Sequence, residues 1–214
     1  GLGDVYKRQV RHHGGGSRRK YRIIDFDLSN MSNSGISNVG IVAKSNFQSL
    51  MDHVGSGSAY DLSKRRSNLS ILPPYDGKAF SSFVETIYNM HGYIEHCREE
   101  YVLISQGNVI TNIDYTDVFD FHSKKKADIT LIYKNHAIPQ GYDRPITLDV
   151  DNDGKVNQIF VKPGVVDKGV FNHAYGSILI KKDLLMSEIR NAISVNQLDV
   201  RRLIQSSLGK YSIY

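Results

Sequence analysis

A polar segment follows a short apolar run near the middle of the chain. Tyr101–Ile104 (YVLI) is entirely apolar and predicts a buried strand, and Ser-Gln-Gly-Asn follows it directly. In open α/β sheets, ligands bind beyond the carboxyl ends of the strands. We therefore expect the turn through Gln106, Gly107 and Asn108, and the loop that continues to Asp114, to form the binding site.

The elements that would position this turn alternate along the chain. Apolar runs predict strands at 21–26, 36–43, 69–72, 101–104 and 129–133. Helical spacing and Gly stops predict helices at 28–35, 47–54, 80–97 and 114–121. Because alternation of this kind requires crossover connections, it predicts an α/β fold with a doubly wound, mainly parallel sheet and helices on both faces.

The second half of the chain has a different pattern. Alternating segments at 146–149 and 156–162 flank Asp-Asn-Asp-Gly at 151–154, which predicts a β-hairpin. Asp149, Asp151 and Asp153 also resemble the start of a calcium loop, but its twelfth position is Phe160 instead of a bidentate Glu, which favours turn chemistry. A strand at 175–180 and helices at 182–193 and 201–214 complete the prediction.

The charge of the chain is unevenly distributed. The 214 residues include 27 Lys and Arg and 22 Asp and Glu, a net charge of +5. The first twenty residues contain six Lys and Arg against Asp4, so the remainder is neutral. Residues 1–20 have no apolar periodicity, and we interpret them as disordered or artefactual, with the ordered domain at 21–214. A basic nucleic-acid-binding module is the least favoured function, since the run Lys124–Lys126 follows a predicted helix end, where cations are favoured by the helix dipole.

The composition predicts a globular protein in a reducing, cytoplasmic setting. Cys97 is the single cysteine, so no intramolecular disulfide can form. The sequence contains no apolar run of about 18 residues, and we therefore expect no membrane span.

Several motifs, in order, carry a resemblance to a known family. The segment KYRIIDFDLSNMSNSGISNVGIVAKSNFQSLMDHVGSG at 20–57 resembles the first block of bacterial glucose-1-phosphate adenylyltransferase (ADP-glucose pyrophosphorylase). More narrowly, SLMDHVGSG, YDL at 60–62 and SILPPY at 70–75 resemble its GlgD-type subunit. The resemblance extends over 20–214. It implies a Rossmann-like nucleotidyltransferase fold, incomplete here and truncated before a C-terminal left-handed β-helix domain.

The resemblance also implies a reaction and a cofactor. Active relatives join ATP and glucose 1-phosphate into ADP-glucose and pyrophosphate, with Mg²⁺ held by carboxylate to neutralise the developing charge. Where they have a Gly-Asp-His turn, this chain has Gly107-Asn108-Val109, so an amide stands at the metal-binding position. Their Gly-Thr-Ala-Asp-Ala segment corresponds to Ser82–Thr86 (SFVET), for which core packing is the favoured interpretation. Their Gly-rich phosphate loop, which precedes KYRIIDF, has no counterpart.

The resemblance assigns substrate-binding roles to a few residues. Lys162, in a segment similar to Phe-x-Glu-Lys-Pro, would contact the sugar phosphate as a compact cation, although Val161 replaces the acid. Gly107, Asp25 and Asn33 also lie in matched motifs, with structural hydrogen bonding favoured for the last two. No catalytic or metal-binding residue is predicted with them.

These departures from the family predict a regulatory or catalytically degenerate subunit for glycogen synthesis. We expect it to assemble with a catalytic homologue in a hetero-oligomer, as a tetramer, and to bind glucose 1-phosphate or ATP. An adenylyltransferase active in its own right is the alternative.

Overall fold

The structure, a computed structural model, describes residues 18–43, 47–62, 68–72, 82–107, 109–137, 146–160 and 170–214. Its helices are α1 (Arg18–Asn33), α2 (Phe47–Val54), α3 (Phe83–Asn89), α4 (His91–His96), α5 (Tyr115–Lys125), α6 (Lys182–Ser194) and α7 (Val200–Ser207). Its strands are β1 (Asn38–Val42), β2 (Asn68–Leu72), β3 (Tyr101–Ile104), β4 (Ile129–Ala137), β5 (Ile146–Val150), β6 (Val156–Phe160) and β7 (Val170–Lys181). None of these helices has the length and apolar character needed to cross a bilayer.

The strands form two sheets. β1 and β2 pair in parallel, while the five-stranded sheet has the order β3-β7-β5-β6, with β4 on the other side of β7. The predicted mainly parallel pairing differs from this sheet, whose described pairs are all antiparallel. The reason is the central position of β7. Because β3, β4 and β5 all run opposite to β7, they share one direction, which the strand-helix alternation predicted for β3 and β4.

Helices cover both faces of the larger sheet. On one face, side chains of β3, β4 and β7 pack with α3 and α6 in the larger core, which includes Ile104, Leu131, Ile178, Val84 and Ile189. On the other face, α5 packs against β3 and β4: the rings of Phe119 and His122 contact Tyr101, and His122 lies 2.8 Å from the Thr130 hydroxyl. The layered α/β arrangement therefore matches the predicted fold class.

The predicted strand at 21–26 is wrong, because α1 continues through it from Arg18 to Asn33. Ile24, Leu28 and Met31 recur at helical spacing and pack into a second, smaller core with β1 and α2. This burial outweighs the local β-preference of Tyr-Arg-Ile-Ile. The helix is followed by Gly35 with a φ of 75°, as the predicted Gly stop requires.

The predicted helix at 80–97 is two helices within the described residues. Its apolar stripe is confirmed, since Val84, Met90 and Ile94 are all buried. At Met90 the backbone turns away from helical geometry, with φ −91° and ψ 5°. The Met90 N–H is shared between the carbonyls of Thr86 and Ile87, which tightens the chain between α3 and α4.

The hairpin at 146–160 is confirmed, with β5 and β6 antiparallel. Asp151 accepts hydrogen bonds from the backbone N–H groups of Asp153 and Lys155 at 2.8 and 2.9 Å, and Asp153 pairs with Lys125. The acids that resemble a calcium loop therefore perform turn chemistry. Lys125 belongs to the run at 124–126, which forms the C-terminal end of α5.

The predicted helix at 201–214 is correct only as far as Ser207. Gly209, with a φ of 82°, turns the chain back toward the larger sheet. Ile213 pairs with Ile129 and is only 1% exposed, and the Ser212 N–H donates to the carboxylate of Asp128. The last residues thus bury an apolar side chain beside β4, which a helix could not do from this position.

Candidate functional site

The turn at the carboxyl end of β3 depends on the backbone of Gly107. Its φ is 62°, in the left-handed region that residues other than glycine rarely adopt. A Cβ placed there would meet no atom within 4 Å. Glycine is therefore required by the backbone conformation and leaves open space beside the strand end.

The loop that follows this turn is held by α1. Asn30 is buried and donates from its side-chain amide to the carbonyl of Thr111 at 2.9 Å. Ser34 donates to the carbonyl of Asn30 and accepts from the N–H of Tyr115 at 2.8 Å. The second half of α1 thus fixes the loop, and Ser34, directly after the helix, fixes the start of α5.

A buried carboxylate lies on the same side of α1. Asp27 is 7% exposed and accepts a hydrogen bond from the Tyr115 hydroxyl at 2.9 Å. Burial, together with the negative charge of Asp27, raises the pKa of Tyr115. Both residues line the same cavity as Gly107 and Gln106. The tyrosine therefore stays a neutral donor to the carboxylate.

A bulge in β7 lies against the end of β3. Ala174 and Ser177 pair with the consecutive residues Tyr133 and Ile132 of β4, so Tyr175 and Gly176 are extra residues on β7. Gly176 has a φ of 79°, and a Cβ there would lie 2.2 Å from the side-chain nitrogen of Gln106. The bulge and the strand end are therefore in direct contact.

Three polar rings lie beside this bulge. The Tyr175 hydroxyl and His136 Nε2 form a hydrogen bond, and the two rings stack at 5.5 Å between centroids. His173 Nδ1 lies 3.4 Å from the same nitrogen of His136. Burial and the neighbouring His136 lower the pKa of His173, which is 1% exposed and therefore neutral near pH 7. The Tyr175 hydroxyl and the ring nitrogens of His136 are hydrogen-bonding groups of the kind that pair with hydroxyl groups of a ligand.

Comparison with protein families matches residues 4–181 to the family described as Nucleotidyl transferase. This chain belongs to the nucleotidyl transferase family. The match includes every strand of both sheets, the turn after β3 and the bulge of β7.

Three curated relatives of this nucleotidyl transferase share one name. A glucose-1-phosphate adenylyltransferase of Clostridium acetobutylicum is 37% identical over 148 residues, 67% of this chain and 39% of the relative. One of Bacillus subtilis is 42% identical over 116 residues, 52% of this chain and 30% of the relative. One of Lachnospira eligens is 36% identical over 151 residues, 67% of this chain and 35% of the relative. The matched region thus spans well under half of each relative, and the resemblance to these adenylyltransferases is confirmed at that level.

Of the substrate-binding residues predicted from the sequence, the structure describes Gly107, Asp25 and Asn33 and does not group them at one site. Gly107 lies at the strand end as predicted, whereas Asn108 and Lys162 lie outside the described residues. Asp25 contacts His53 at 2.8 Å and accepts from the Tyr60 hydroxyl. At 100° per residue, Asp25 lies on nearly the opposite side of α1 from Asp27. Asn33 is exposed at the last position of that helix.

The segment 82–86 begins a helix that packs into the core. Ser82 caps α3: its hydroxyl accepts from the Glu85 N–H at 3.1 Å and donates to the Glu85 carboxylate at 2.9 Å. Val84 is fully buried and Thr86 is 8% exposed. These contacts agree with the core-packing interpretation of Phe83 and Val84.

The carboxylates near the turn do not fit a Mg²⁺ site. Mg²⁺ needs accessible oxygen ligands in near-octahedral geometry. Asp27 is buried with the Tyr115 hydroxyl, and Asp114 accepts from the Thr116 N–H at 2.8 Å as the cap of α5. Within the described ranges, no three His, Cys, Asp or Glu residues are grouped so that they could hold a metal ion. At the position predicted to hold the metal ligand, the sequence has the uncharged amide of Asn108 in place of a carboxylate.

The rings of Tyr175, His136 and His173, and the glycine at 176, were not found by sequence reasoning. The three rings come from two strands, and only the register of β4 on β7 brings them together. A Gly inside a predicted strand is a signal for a bulge, and Gly176 carried that signal.

Proposed function

We propose that this chain is a regulatory or catalytically degenerate subunit of glucose-1-phosphate adenylyltransferase that acts in glycogen synthesis in the cytoplasm. In this role it assembles with a catalytic homologue, as a hetero-oligomeric tetramer of GlgD type. The partner joins ATP and glucose 1-phosphate into ADP-glucose and pyrophosphate. This chain keeps the strand-end pocket and changes the partner's rate through subunit contacts.

One observation carries the proposal: the turn after β3 continues from Gly107 into an asparagine. An amide oxygen carries no negative charge. By Coulomb's law at an effective dielectric of about 20, replacing a carboxylate by an amide removes several kcal/mol of attraction for a divalent ion. The buried Asp27 does not replace the missing carboxylate, because it accepts a hydrogen bond from the Tyr115 hydroxyl.

The same pocket retains features suited to a sugar phosphate. Gly107 leaves open space at the strand end, and the bulge of β7, which carries the Tyr175 ring hydrogen-bonded to His136, contacts the neighbouring Gln106. Lys162 supplies the proposed contact with the phosphate. Asp25 and Asn33 are proposed to act indirectly, Asp25 by holding α1 against His53 and Tyr60.

The similarity to curated adenylyltransferases favours a second candidate, an enzyme active by itself. Pyrophosphorolysis of ADP-glucose, measured on the full-length protein alone and with a catalytic homologue, separates the two. The subunit proposal expects no turnover by this protein alone and a changed rate or effector response of the mixture. Turnover alone at the partner's rate would establish the active enzyme instead.

A further inference from the structure

Three polar atoms from two strands lie around one small space between β4 and β7. His136 Nε2 is hydrogen-bonded to the Tyr175 hydroxyl and lies 3.4 Å from His173 Nδ1. The centroids of the three rings are between 4.8 and 5.5 Å apart. Each of the three atoms can give a lone pair, so together they form a compact set of electron donors.

The register of β4 on β7 produces this set. His136 lies opposite Phe171, two residues before His173. The two histidines are therefore diagonal neighbours on one face of the sheet. Tyr175 is an extra residue of the bulge, two residues beyond His173. The backbone thus brings the three side chains together without a ligand.

Hydrogen bonds alone satisfy His136 Nε2 poorly. A neutral imidazole nitrogen has either one hydrogen or one lone pair in the ring plane, and this nitrogen has two polar neighbours. It can therefore form only one well-directed hydrogen bond of the two. The contact with His173 Nδ1, at 3.4 Å, is longer than an ordinary hydrogen bond. A metal ion in the same space would accept a lone pair from each ring at once.

The distance between the two nitrogens matches a tetrahedral metal ion. With metal–nitrogen bonds of about 2.0–2.1 Å, tetrahedral ligands lie about 3.3–3.4 Å apart, whereas neighbouring ligands in a square plane lie about 2.8–3.0 Å apart. The observed 3.4 Å fits the tetrahedral value. Zn²⁺ takes imidazole ligands in this geometry, whereas Cu²⁺ and Ni²⁺ favour the square plane. The Tyr175 oxygen lies closer to Nε2 than either geometry allows, so the phenol moves outward when the ion binds.

An ion from solvent can reach these donors. His136 and Tyr175 are half-buried, and Lys134, which pairs with His173, is exposed, so water screens its charge. On binding, Tyr175 releases its hydroxyl proton to solvent, and the phenolate offsets one of the two charges of the ion. Three protein ligands leave the fourth tetrahedral position to water.

We propose that His136 Nε2, His173 Nδ1 and the Tyr175 oxygen form a zinc site that joins the bulge of β7 to β4. The site does not depend on the proposed function, because its ligands are imidazole and phenol and not the oxygen ligands that Mg²⁺ needs beside Gly107. Since β4 and β7 are held side by side in the folded chain, Zn²⁺ binds the native state and stabilises it.

Calorimetric titration with Zn²⁺ tests the proposal. The parent protein is the full chain with His12→Gln and His13→Gln, because that adjacent pair could bind zinc by itself. We expect saturable binding of one ion and a rise in Tm with Zn²⁺ concentration. Adding His136→Gln is expected to weaken binding at least about tenfold and to reduce the rise in Tm. No saturable binding by the parent, or equal affinities with and without His136→Gln, would overturn the proposal.

Two further variants of the same parent locate the ligands. His91→Gln removes an imidazole from an exposed position on α4 and is the matched control, which should leave the affinity for Zn²⁺ unchanged. Tyr175→Phe keeps the aromatic ring and removes the phenol oxygen, and it is expected to weaken binding at least about threefold. Equal losses in His91→Gln and His136→Gln would show diffuse binding to surface histidines. That result, or an unchanged affinity in Tyr175→Phe, would overturn the three-ligand site.

Co²⁺ provides a measurement that needs no variant within the site. Tetrahedral Co²⁺ absorbs visible light far more strongly than octahedral Co²⁺. The parent loaded with Co²⁺ is expected to show the intense tetrahedral bands, and Zn²⁺ is expected to remove them by displacing the ion. A weak octahedral spectrum would overturn the proposal even if His136→Gln does not fold.

Discussion

The side chain of Gln106, at the end of β3, lies directly against the backbone of Gly176 in the bulge of β7. A Cβ added at residue 176 would lie 2.2 Å from the Gln106 amide nitrogen, so the two atoms could not occupy these positions together. The contact joins the turn that begins the candidate site to the strand that carries Tyr175 and His173. Movement of either element would therefore move the other.

Replacing Gly176 by alanine tests this contact. The φ of 79° disfavours any side chain, and the flexible end of Gln106 can move aside at small cost. Gly176→Ala is expected to lower the free energy of unfolding by about 1–2 kcal/mol, measured by urea denaturation. The double variant Gln106→Ala/Gly176→Ala should recover only a minor part. Gly92→Ala, at an open helical position, is the control and should not destabilise. Full recovery in the double variant would show that collision, and not backbone strain, dominates.

Replacing Asn108 by aspartate tests the missing carboxylate. Asn108→Asp is expected to strengthen Mg²⁺ binding, measured by calorimetry, because it restores a charged oxygen ligand beside Gly107. Asn112→Asp adds the same charge at an exposed position of the same loop and is the matched control. Equal Mg²⁺ affinities for both variants would contradict a metal position at residue 108.

Removing the Tyr115 hydroxyl tests the buried carboxylate. Tyr115→Phe removes the hydroxyl that donates to the Asp27 carboxylate at 2.9 Å. Asp27 is only 7% exposed. We expect a loss of about 1–3 kcal/mol in the free energy of unfolding. Tyr133→Phe removes a hydroxyl from a residue that is 38% exposed and should change stability little. Equal losses in the two variants would mean that the Asp27 hydrogen bond contributes nothing specific.

The buried His122 predicts a dependence of stability on pH. It is 2% exposed, and burial lowers its pKa below the ordinary 6.5 despite the nearby Asp128. As pH falls below 6.5, the unfolded chain takes up a proton that the folded chain does not. The free energy of unfolding therefore decreases as the solution is acidified, by up to about 1.4 kcal/mol per pH unit for this group.

The measurement compares urea unfolding between pH 7.5 and 5.5. His122→Gln should flatten the slope, while His91→Gln, at an exposed position, should keep it. Parallel slopes in the parent and the His122 variant would assign the acid sensitivity to other groups, of which the buried His173 is the first to test.

Local sequence patterns correctly predicted those elements whose own residues determine how the element is buried. Asp114 before Tyr115, and the apolar run at 101–104, correctly predicted the start of α5 and the strand β3. The segment at 21–26 failed because its strand-like residues are incorporated into a helix by the packing of Leu28 and Met31, which lie beyond it. Tertiary burial overrode local preference there.

The candidate site was predictable only where one segment carries it. Gly107 follows its own strand, so its place at the strand end could be predicted from neighbours in sequence. The pair formed by His136 and Tyr175 depends on how β4 and β7 are aligned across the sheet. No local pattern encodes that register, and the antiparallel direction of β7 was missed for the same reason.

The central position of β7 has a consequence for how the chain folds. β3 and β4 form their ladders with a strand that begins only at Val170, whereas β5 pairs with β6 as well as with that strand. During synthesis β3 and β4 leave the ribosome with unpaired edges until β7 has emerged. Long-range pairing of this kind slows folding and exposes aggregation-prone edges. The nascent chain is therefore expected to need chaperone protection until residue 181 has been made.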